Sequence, residues 1–322
     1  MVKIDKKDKK ILYQLDINSR QSLSQIGRKV GLPKNVVAYR INKLKEESII
    51  KTFYTIIDSF KLGYIAFRFY FTYQYVNEEV ERQLIEHFTK YKLIWWVISA
   101  EGRFDIAVII WVKDLNEFYA FWEQTLVKFR DFFQSIIFSV YVQRFGYRHS
   151  YLLDDYMEVD RTKFEITGGG AQVKIDALDF QILRIIAPNA RMPLTDIAKM
   201  LNTTATIINY KIKKLTKIGV IQGYRTDIDI EKLGYMFFKA DMFLKDYRLR
   251  GRIIDFIKSN PHLVRIDASA GVSDLELEFH VRNLGHFHEI MKELCSLFPE
   301  AIRDYRYVYA RKVHVMNYMP EI

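Results

Sequence analysis

The 322-residue chain has one cysteine, Cys295, and six prolines. A lone cysteine cannot close an intrachain disulfide, so no covalent framework holds the fold, and a reducing compartment suits it. No apolar run approaches the roughly 20 residues that a membrane-spanning helix needs. The Lys-rich start sets Ile11, Leu12 and Leu15 among polar residues, unlike a secretory leader. Zinc-type Cys/His spacing, a P-loop, a dinucleotide fingerprint and a catalytic triad are all missing. We therefore expect a cytoplasmic protein with no cofactor, no metal, no membrane partner and no enzymatic activity. Negative charge is also short: 49 Lys and Arg face 39 Asp and Glu, a formal net charge of +10.

The positive excess is localised. Residues 1–51 hold 13 Lys/Arg against 5 Asp/Glu, and residues 173–225 hold 9 against 3, which leaves the remainder net acidic. Two basic segments beside an acidic remainder are what a polyanion-binding chain shows. These segments are copies of each other. Residues 2–64 shifted by 171 fall on 173–235 without a gap, and 23 of 63 positions are identical. Val2-Lys3-Ile4-Asp5 meets Val173-Lys174-Ile175-Asp176, and Lys61-Leu62-Gly63-Tyr64 meets Lys232-Leu233-Gly234-Tyr235. A repeat of this length is a duplicated domain pair, not a solenoid unit.

Each copy opens with three helical patterns. In copy one Ile11, Leu12 and Leu15 share a face, Ser22 offers an N-cap for a helix over 23–30, and Gly31-Leu32-Pro33 turns into a third helix burying Val37, Ile41 and Leu44. Pro33 suits that helix's first position. Copy two repeats the pattern, with Ile208, Ile212 and Leu215 inward on its third helix. A short strand pair follows each set (Ile49-Ile50 to 53–56, and Val220-Ile221 to 224–226), giving a helix-turn-helix with a β wing. Alternating strand and helix patterns then run in the order β-α-β-β-α-β, that of a ferredoxin-like module. The fold class is α+β: two winged helix-turn-helix domains (1–56 and 173–227) alternate with two ferredoxin-like βαββαβ domains (57–149 and 228–322). Residues 150–172 match neither copy, and Gly168-Gly169-Gly170 reads as a flexible linker.

This arrangement resembles the Lrp/AsnC (feast/famine) transcription regulators, here as a tandem fusion. Copy two carries the fuller pattern: Ile175-Asp176, Asp179, Ile182-Leu183, Asn189, Arg191, Ile208, Lys211-Ile212, Leu215, Gly219-Val220-Ile221 and Gly223-Tyr224. Copy one keeps Arg40-Ile41 and Leu44, but Ser48 stands where the family has a glycine of positive φ, which implies local strain. The resemblance implies a double-stranded DNA partner, self-association through the ferredoxin-like modules (within the chain, as a homodimer, or both) and a small-molecule effector such as an amino acid. The effector would sit at the glycine turns, hence Gly102, Arg103 and Asp105 in copy one and Gly271, Ser273 and Asp274 in copy two.

In a helix-turn-helix the last helix enters the major groove. The face opposite its buried stripe offers Lys34, Asn35, Ala38, Tyr39, Asn42 and Lys43 in copy one. Copy two offers Thr204, Ala205, Thr206, Asn209, Tyr210 and Lys213. Asn pairs with adenine and Lys with guanine. Arg28, Lys29, Arg40, Lys51, Lys199, Lys211, Lys214 and Arg225 are expected to hold phosphates, which position without specifying sequence. Both tyrosines are expected to pack along the groove wall, and the four tryptophans to serve core or interface. Two alternatives stand beside this reading. One is an architectural DNA binder without sequence preference. The other is a tetrapyrrole enzyme similar to the sirohaem decarboxylases, drawing on Arg144, Tyr147, Arg148, His149, His280, His286 and His288, which look scattered along the sequence.

Overall fold

The computed structural model describes residues 4–154, 161 and 164–320. Val2 and Lys3 at the head of the repeat, and 155–160 and 162–163 between the copies, lie outside the described residues. Asp5 and Asp176 start the two heads identically. Each accepts the backbone N–H three residues on, and the residue there, Asp8 or Asp179, returns the bond. Such a capping box satisfies two donors that a helix start leaves open. Copy one continues as α1 (Lys6–Ile17), α2 (Leu23–Val30), α3 (Lys34–Glu46) and strand β1 (Ile50–Ile57). Ser22 caps α2, and Gly31 ends it at φ 66°, the left-handed turn that glycine takes without a Cβ penalty. Val37, Ile41 and Leu44 pack with Ile11, Leu12, Leu15, Ile26 and Val30.

The first ferredoxin-like module comprises β2 (Ile65–Tyr73), α4 (Glu78–Thr89), β3 (Ile94–Gly102), β4 (Ile106–Val112), α5 (Leu115–Phe129) and β5 (Phe133–Gly146). Strand alternation sorts its residues. Phe67, Phe69 and Phe71 join Leu84, Phe88 and Phe121 beneath the helices, so Ala66, Arg68 and Tyr70 face the other way. After β6 (Glu165–Gly168), copy two gives α6 (Ala177–Ile186), α7 (Leu194–Met200), α8 (Ala205–Lys217) and β7 (Ile221–Ile228). Its second module follows as β8 (Met236–Leu244), α9 (Arg250–Ile257), β9 (Leu263–Ala270), β10 (Leu275–Val281), α10 (Leu284–Leu297) and β11 (Ile302–Met316).

The two modules join edge to edge within the chain. β3 pairs with β11 and β5 with β9, all antiparallel, while β2 also pairs with β5. Eight strands therefore close into a barrel in the order β2-β4-β3-β11-β8-β10-β9-β5, with β6 added at its rim. Closure removes the free edges that a single module would expose. The registers obey a pseudo-two-fold: Val140 sits opposite Ala270 as Tyr309 sits opposite Glu101.

The heads obey the same symmetry, and here the sequence reading is corrected. No hairpin wing forms within a head. The strand pair expected after α3 and α8 is one strand in each copy, and these two, β1 and β7, pair antiparallel with each other. Ser19 N–H donates to Tyr224 O at 2.9 Å, and Ala190 N–H donates to Phe53 O at 2.7 Å, two bonds related by the repeat offset. Lys61 donates to Ile218 O at the end of α8, and Lys232 to Glu47 O at the end of α3. Each recognition helix thus has its carboxyl end capped by a cation beyond its own head.

Two local details differ from expectation, and a third agrees with it. Pro33 is the N-cap of α3, one position earlier than placed. The segment between the copies is not free chain where it is described. Tyr151 and Leu152 are buried against the first head, β6 pairs with β5, and Gly168 N–H donates to Asp58. Gly168 is also required sterically, since a Cβ there would meet Val142 O at 2.5 Å. The strain expected at Ser48 is present: its φ is +54°, against +74° at the equivalent Gly219.

Candidate nucleic-acid interface

The apolar stripes of α3 and α8 face inward and leave the opposite faces open. Lys34, Asn35, Asn42 and Lys43 are exposed on α3, and Thr206, Asn209 and Lys213 on α8, while Ala38 is half-buried. Tyr39 and Tyr210, related by the repeat offset, are 68% and 65% exposed. Neither serves the core, so both are available to a groove. Arg28 and Lys29 end α2, with Lys29 also donating to Gln21 Oε1. Lys51 lies on the ribbon at 3.7 Å from Asp229. Thr204 spends its side-chain oxygen as the N-cap of α8, accepting Ile207 N–H at 3.2 Å. Lys199 ends α7, exposed.

Four of the expected phosphate contacts have other duties. Arg225 is 4% exposed, donates twice to Asp16 Oδ1 at 2.8 and 2.6 Å and once to Tyr147 O. It joins the second copy's ribbon strand to the first helix of copy one and cannot reach a phosphate without breaking that pair. Arg40 bridges Asp5 and Asp8 at 2.7 and 2.8 Å. Its equivalent, Lys211, holds the equivalent pair, Asp176 and Asp179, and Lys214 is 3.2 Å from Asp179. These cations tie the third helix of each head to its first, which fixes the angle at which the exposed face is presented.

The glycine turns are likewise partly explained by packing. A Cβ on Gly102 would stand 2.7 Å from Tyr307 O, and one on Gly271 2.4 Å from Phe138 O. Each glycine lets a strand of the opposite module pass close by. Asp105 accepts Tyr73 N–H at 2.7 Å, Asp274 accepts Leu244 N–H at 2.8 Å, and Arg103 donates to Asp241 at 3.0 Å. The Ser273 hydroxyl lies 3.5 Å from Leu275 O.

The sequence reading missed the barrel interior. Arg68, 1% exposed, pairs with Glu276 and Asp267. Lys239 pairs with Asp241 and Glu276, and Arg265 with Glu278. The alternation Leu275-Glu276-Leu277-Glu278-Phe279-His280 was the available signal, but period two alone looks the same on a solvent-facing strand. The histidines are not scattered either, a second correction. The rings of His149 and His280 lie 5.0 Å apart, those of His262 and His286 4.4 Å apart, and Tyr151 shares a hydrogen bond with His280. His288 stands apart, beside Tyr305. Burial forces His149 down to about 3 and His262 to about 4, so both are neutral at physiological pH.

The heads are those of known DNA-binding domains. Residues 4–45 match the AsnC-type helix-turn-helix domain, and residues 175–222 match the winged helix-turn-helix DNA-binding model. Two HTH-type transcriptional regulators of Pyrococcus horikoshii are 31% and 41% identical over 131 and 132 residues, spanning 39% and 41% of this chain and 79% and 77% of theirs. The regulatory protein AsnC of Haemophilus influenzae is 26% identical over 39% of this chain and 85% of its own length. The chain belongs to the Lrp/AsnC family of DNA-binding transcription regulators, as a tandem duplication whose two units pair within one polypeptide. Its whole two-unit architecture is also similar to the crystal structure of the siroheme decarboxylase NirDL. There the TM-score is 0.64 at 13% identity, covering 98% of this chain and 94% of that one. At that identity the likeness concerns the fold. Among the described residues, no helix is long and apolar enough to cross a membrane.

Proposed function

We propose that one chain of this regulator reads one operator with two unlike heads, without catalysing a reaction, in the cytoplasm. The observation that carries this is the β1/β7 ribbon with its symmetric cross-copy bonds, which hold α3 and α8 in a fixed relation about a pseudo-two-fold. Symmetry of that kind matches half-sites about one helical turn, roughly 34 Å, or a multiple apart. The faces differ at their entry turns, Lys34-Asn35 against Ala205-Thr206, so the half-sites differ too. Lys34, Asn35, Asn42, Lys43, Thr206, Asn209 and Lys213 would read bases, with Tyr39 and Tyr210 along the groove walls. Arg28, Lys29, Lys51 and Lys199 would hold phosphates. An amino-acid effector would use the open groove beside Gly102, where Tyr73, Glu101, Asp105 and Arg311 meet.

Selection on randomised duplex DNA at near-physiological salt tests this, with K34A/N42A and T206A/K213A in parallel. The expected result is a two-part motif, each variant relaxing one part at a cost of about 1–3 kcal/mol per lost base contact. Salt-sensitive binding without a motif would replace it with the architectural reading. The tetrapyrrole reading draws on the shared NirDL architecture and the clustered histidines. Against it stand their neutrality and the basic exposed faces it leaves without a role; saturable tetrapyrrole binding with no DNA binding would restore it.

A further inference from the structure

We infer that the cavity between the β1/β7 ribbon and the barrel binds a small, flat monocarboxylate of the 2-oxo acid class and so adjusts the two heads. The cavity, about 90 Å³, is walled by Tyr54 of β1 and Arg225 of β7 on one side and by Trp95, Trp111, Arg144 and Arg265 of the barrel on the other. That volume exceeds severalfold the roughly 10–15 Å³ that one water occupies by this kind of measure.

Its three guanidinium groups are not equivalent. Arg225 gives Nε and Nη2 to Asp16 and Tyr147 O while its Nη1 stands 3.7 Å from Glu165, a carboxylate that also lines the cavity, and Arg265 donates to Glu278 at 3.0 Å. Arg144 has carboxylates only at 3.6 Å (Asp267) and 3.8 Å (Glu278), beyond hydrogen-bond reach, and each already faces another cation, Arg68 or Arg265. Its Nε has no hydrogen-bond partner among the described residues, and neither does Nε1 of Trp111, a residue 3% exposed. Buried donors without partners are rare because each costs about 1–3 kcal/mol. A guanidinium fork suits a carboxylate, and an indole N–H suits a neighbouring carbonyl oxygen.

The walls specify shape. Trp95 stacks on Trp111 at 5.1 Å and 9°, Tyr54 stacks on Tyr318 at 4.7 Å and 24°, and Arg144 lies 5.0 Å over the Trp95 ring. A flat molecule fits such surfaces. Copy two forms the related cavity, lined by Thr226, His280 and Val313 among others, but without an indole or a guanidinium at the matching places. Counted from the paired glycine turns, Gly102 and Gly271, its residues at these places are Val264, His280 and Val313. One ligand per chain follows.

The regulatory part rests on the DNA-reading proposal; the binding part does not. Calorimetric titration of the full chain with pyruvate and 2-oxobutyrate is expected to show one saturable site. Affinity should fall about tenfold in Arg144→Gln and in Trp111→Phe, which keeps an aromatic ring but removes the indole N–H together with the pyrrole ring that carries it; tenfold is 1.4 kcal/mol. Absence of binding at 20 mM of either probe, roughly a −2.3 kcal/mol ceiling, or equal binding by both variants whose melting curves show them folded, overturns the site. Affinity for the selected operator is then measured with and without pyruvate. A shift in wild type that Trp111→Phe abolishes supports the regulatory part; ligand binding without a shift overturns that part. Failure to bind DNA even without pyruvate overturns the DNA-reading proposal alone.

Discussion

Copy one brings Arg68, Tyr70, Ile98, Ala107 and Ile109 to the barrel interior, where copy two brings Lys239, Asp241, Asp267, Glu276 and Glu278. The outer faces of the two sheets remain alike, aromatic and aliphatic beneath two helices each. Divergence has therefore concentrated where the copies meet. Two copy-one sheets paired with each other would bury two Arg68 side chains with neither Asp267 nor Glu276 to face. Two copy-two sheets would gather eight carboxylates around two Lys239 and two Arg265 side chains. Only unlike pairing balances these charges. Buried ion pairs contribute little net stability over apolar packing, but leaving one partner alone is expensive, which makes them a device for choosing partners.

Breaking that match should give the largest effect. Arg68→Met leaves Asp267 and Glu276 short of a cation and is expected to lower unfolding stability by about 3–5 kcal/mol, read by urea denaturation. Adding Glu276→Gln should return part of the loss. A single variant within about 1 kcal/mol of wild type, the size of an ordinary surface effect, would show that the interior charges do not direct pairing.

Titration sharpens the same comparison, because Asp267 has Ile98 as its counterpart. Burial, with Glu278 close by, pushes Asp267 up to about 7. Its folded value lies above the unfolded one of about 4, so the folded chain holds an extra proton between pH 4 and 7. The stability from Asp267 therefore falls as pH rises through that window. His149, forced down by burial to about 3, acts oppositely: the unfolded chain protonates first, and stability falls as pH drops below about 6.5. Asp267→Asn removes the first slope and keeps the second. Its stability relative to wild type should rise steadily from pH 4 to pH 7 in a pH series of thermal melts. A constant offset would refute the assignment.

How much of this was legible depends on which neighbours decided it. The helix stripes, the cap Ser22, and the order of strands and helices all rest on contacts within a few residues, and sequence periodicity records those, as it does the duplication. The exposed faces of α3 and α8 followed from the buried ones. What escaped was set between copies. The β1/β7 ribbon took the place of two wings because each strand found its partner about 170 residues away. Arg225 looked like a surface cation because Asp16 lies 209 residues distant. The charges of β10 carried no reading in the sequence because only barrel closure turns them inward. The histidine cluster was hidden in the same way, assembled from the turn before β9, from β10 and α10, and from the segment after β5.

A smaller break concerns the heads themselves. Lys61 and Lys232 each cap the recognition helix of the other copy. Replacing either with Met should cost about 1 kcal/mol and should weaken DNA binding through the half-site read by the capped helix: α8 for Lys61, α3 for Lys232. Equal weakening at both half-sites in the selection assay would count against a cap acting on one helix.

The smallest effect expected is a gain. Ser48 and Gly219 close α3 and α8 with the same two bonds: Ser48 N–H donates to Lys45 O and Gly219 N–H to Thr216 O, while Ile49 and Val220 donate to Leu44 O and Leu215 O. Both residues need positive φ, but serine pays a Cβ clash there that glycine avoids. Glycine in turn loses more backbone freedom on folding, which returns part of the difference. Ser48→Gly should therefore stabilise the chain by only about 0.5–1 kcal/mol, seen as a small rise in melting temperature. The copies then differ in sign, because Gly219→Ser should destabilise by a similar amount. It also has to push aside the Lys61 ammonium, 2.7 Å from where its Cβ would stand, so its cost includes part of the cap on α8. In a variant that already lacks the Lys61 cap, the Gly219→Ser penalty should shrink toward the backbone term alone, and a penalty unchanged by Lys61→Met would show that the cap and the turn act independently.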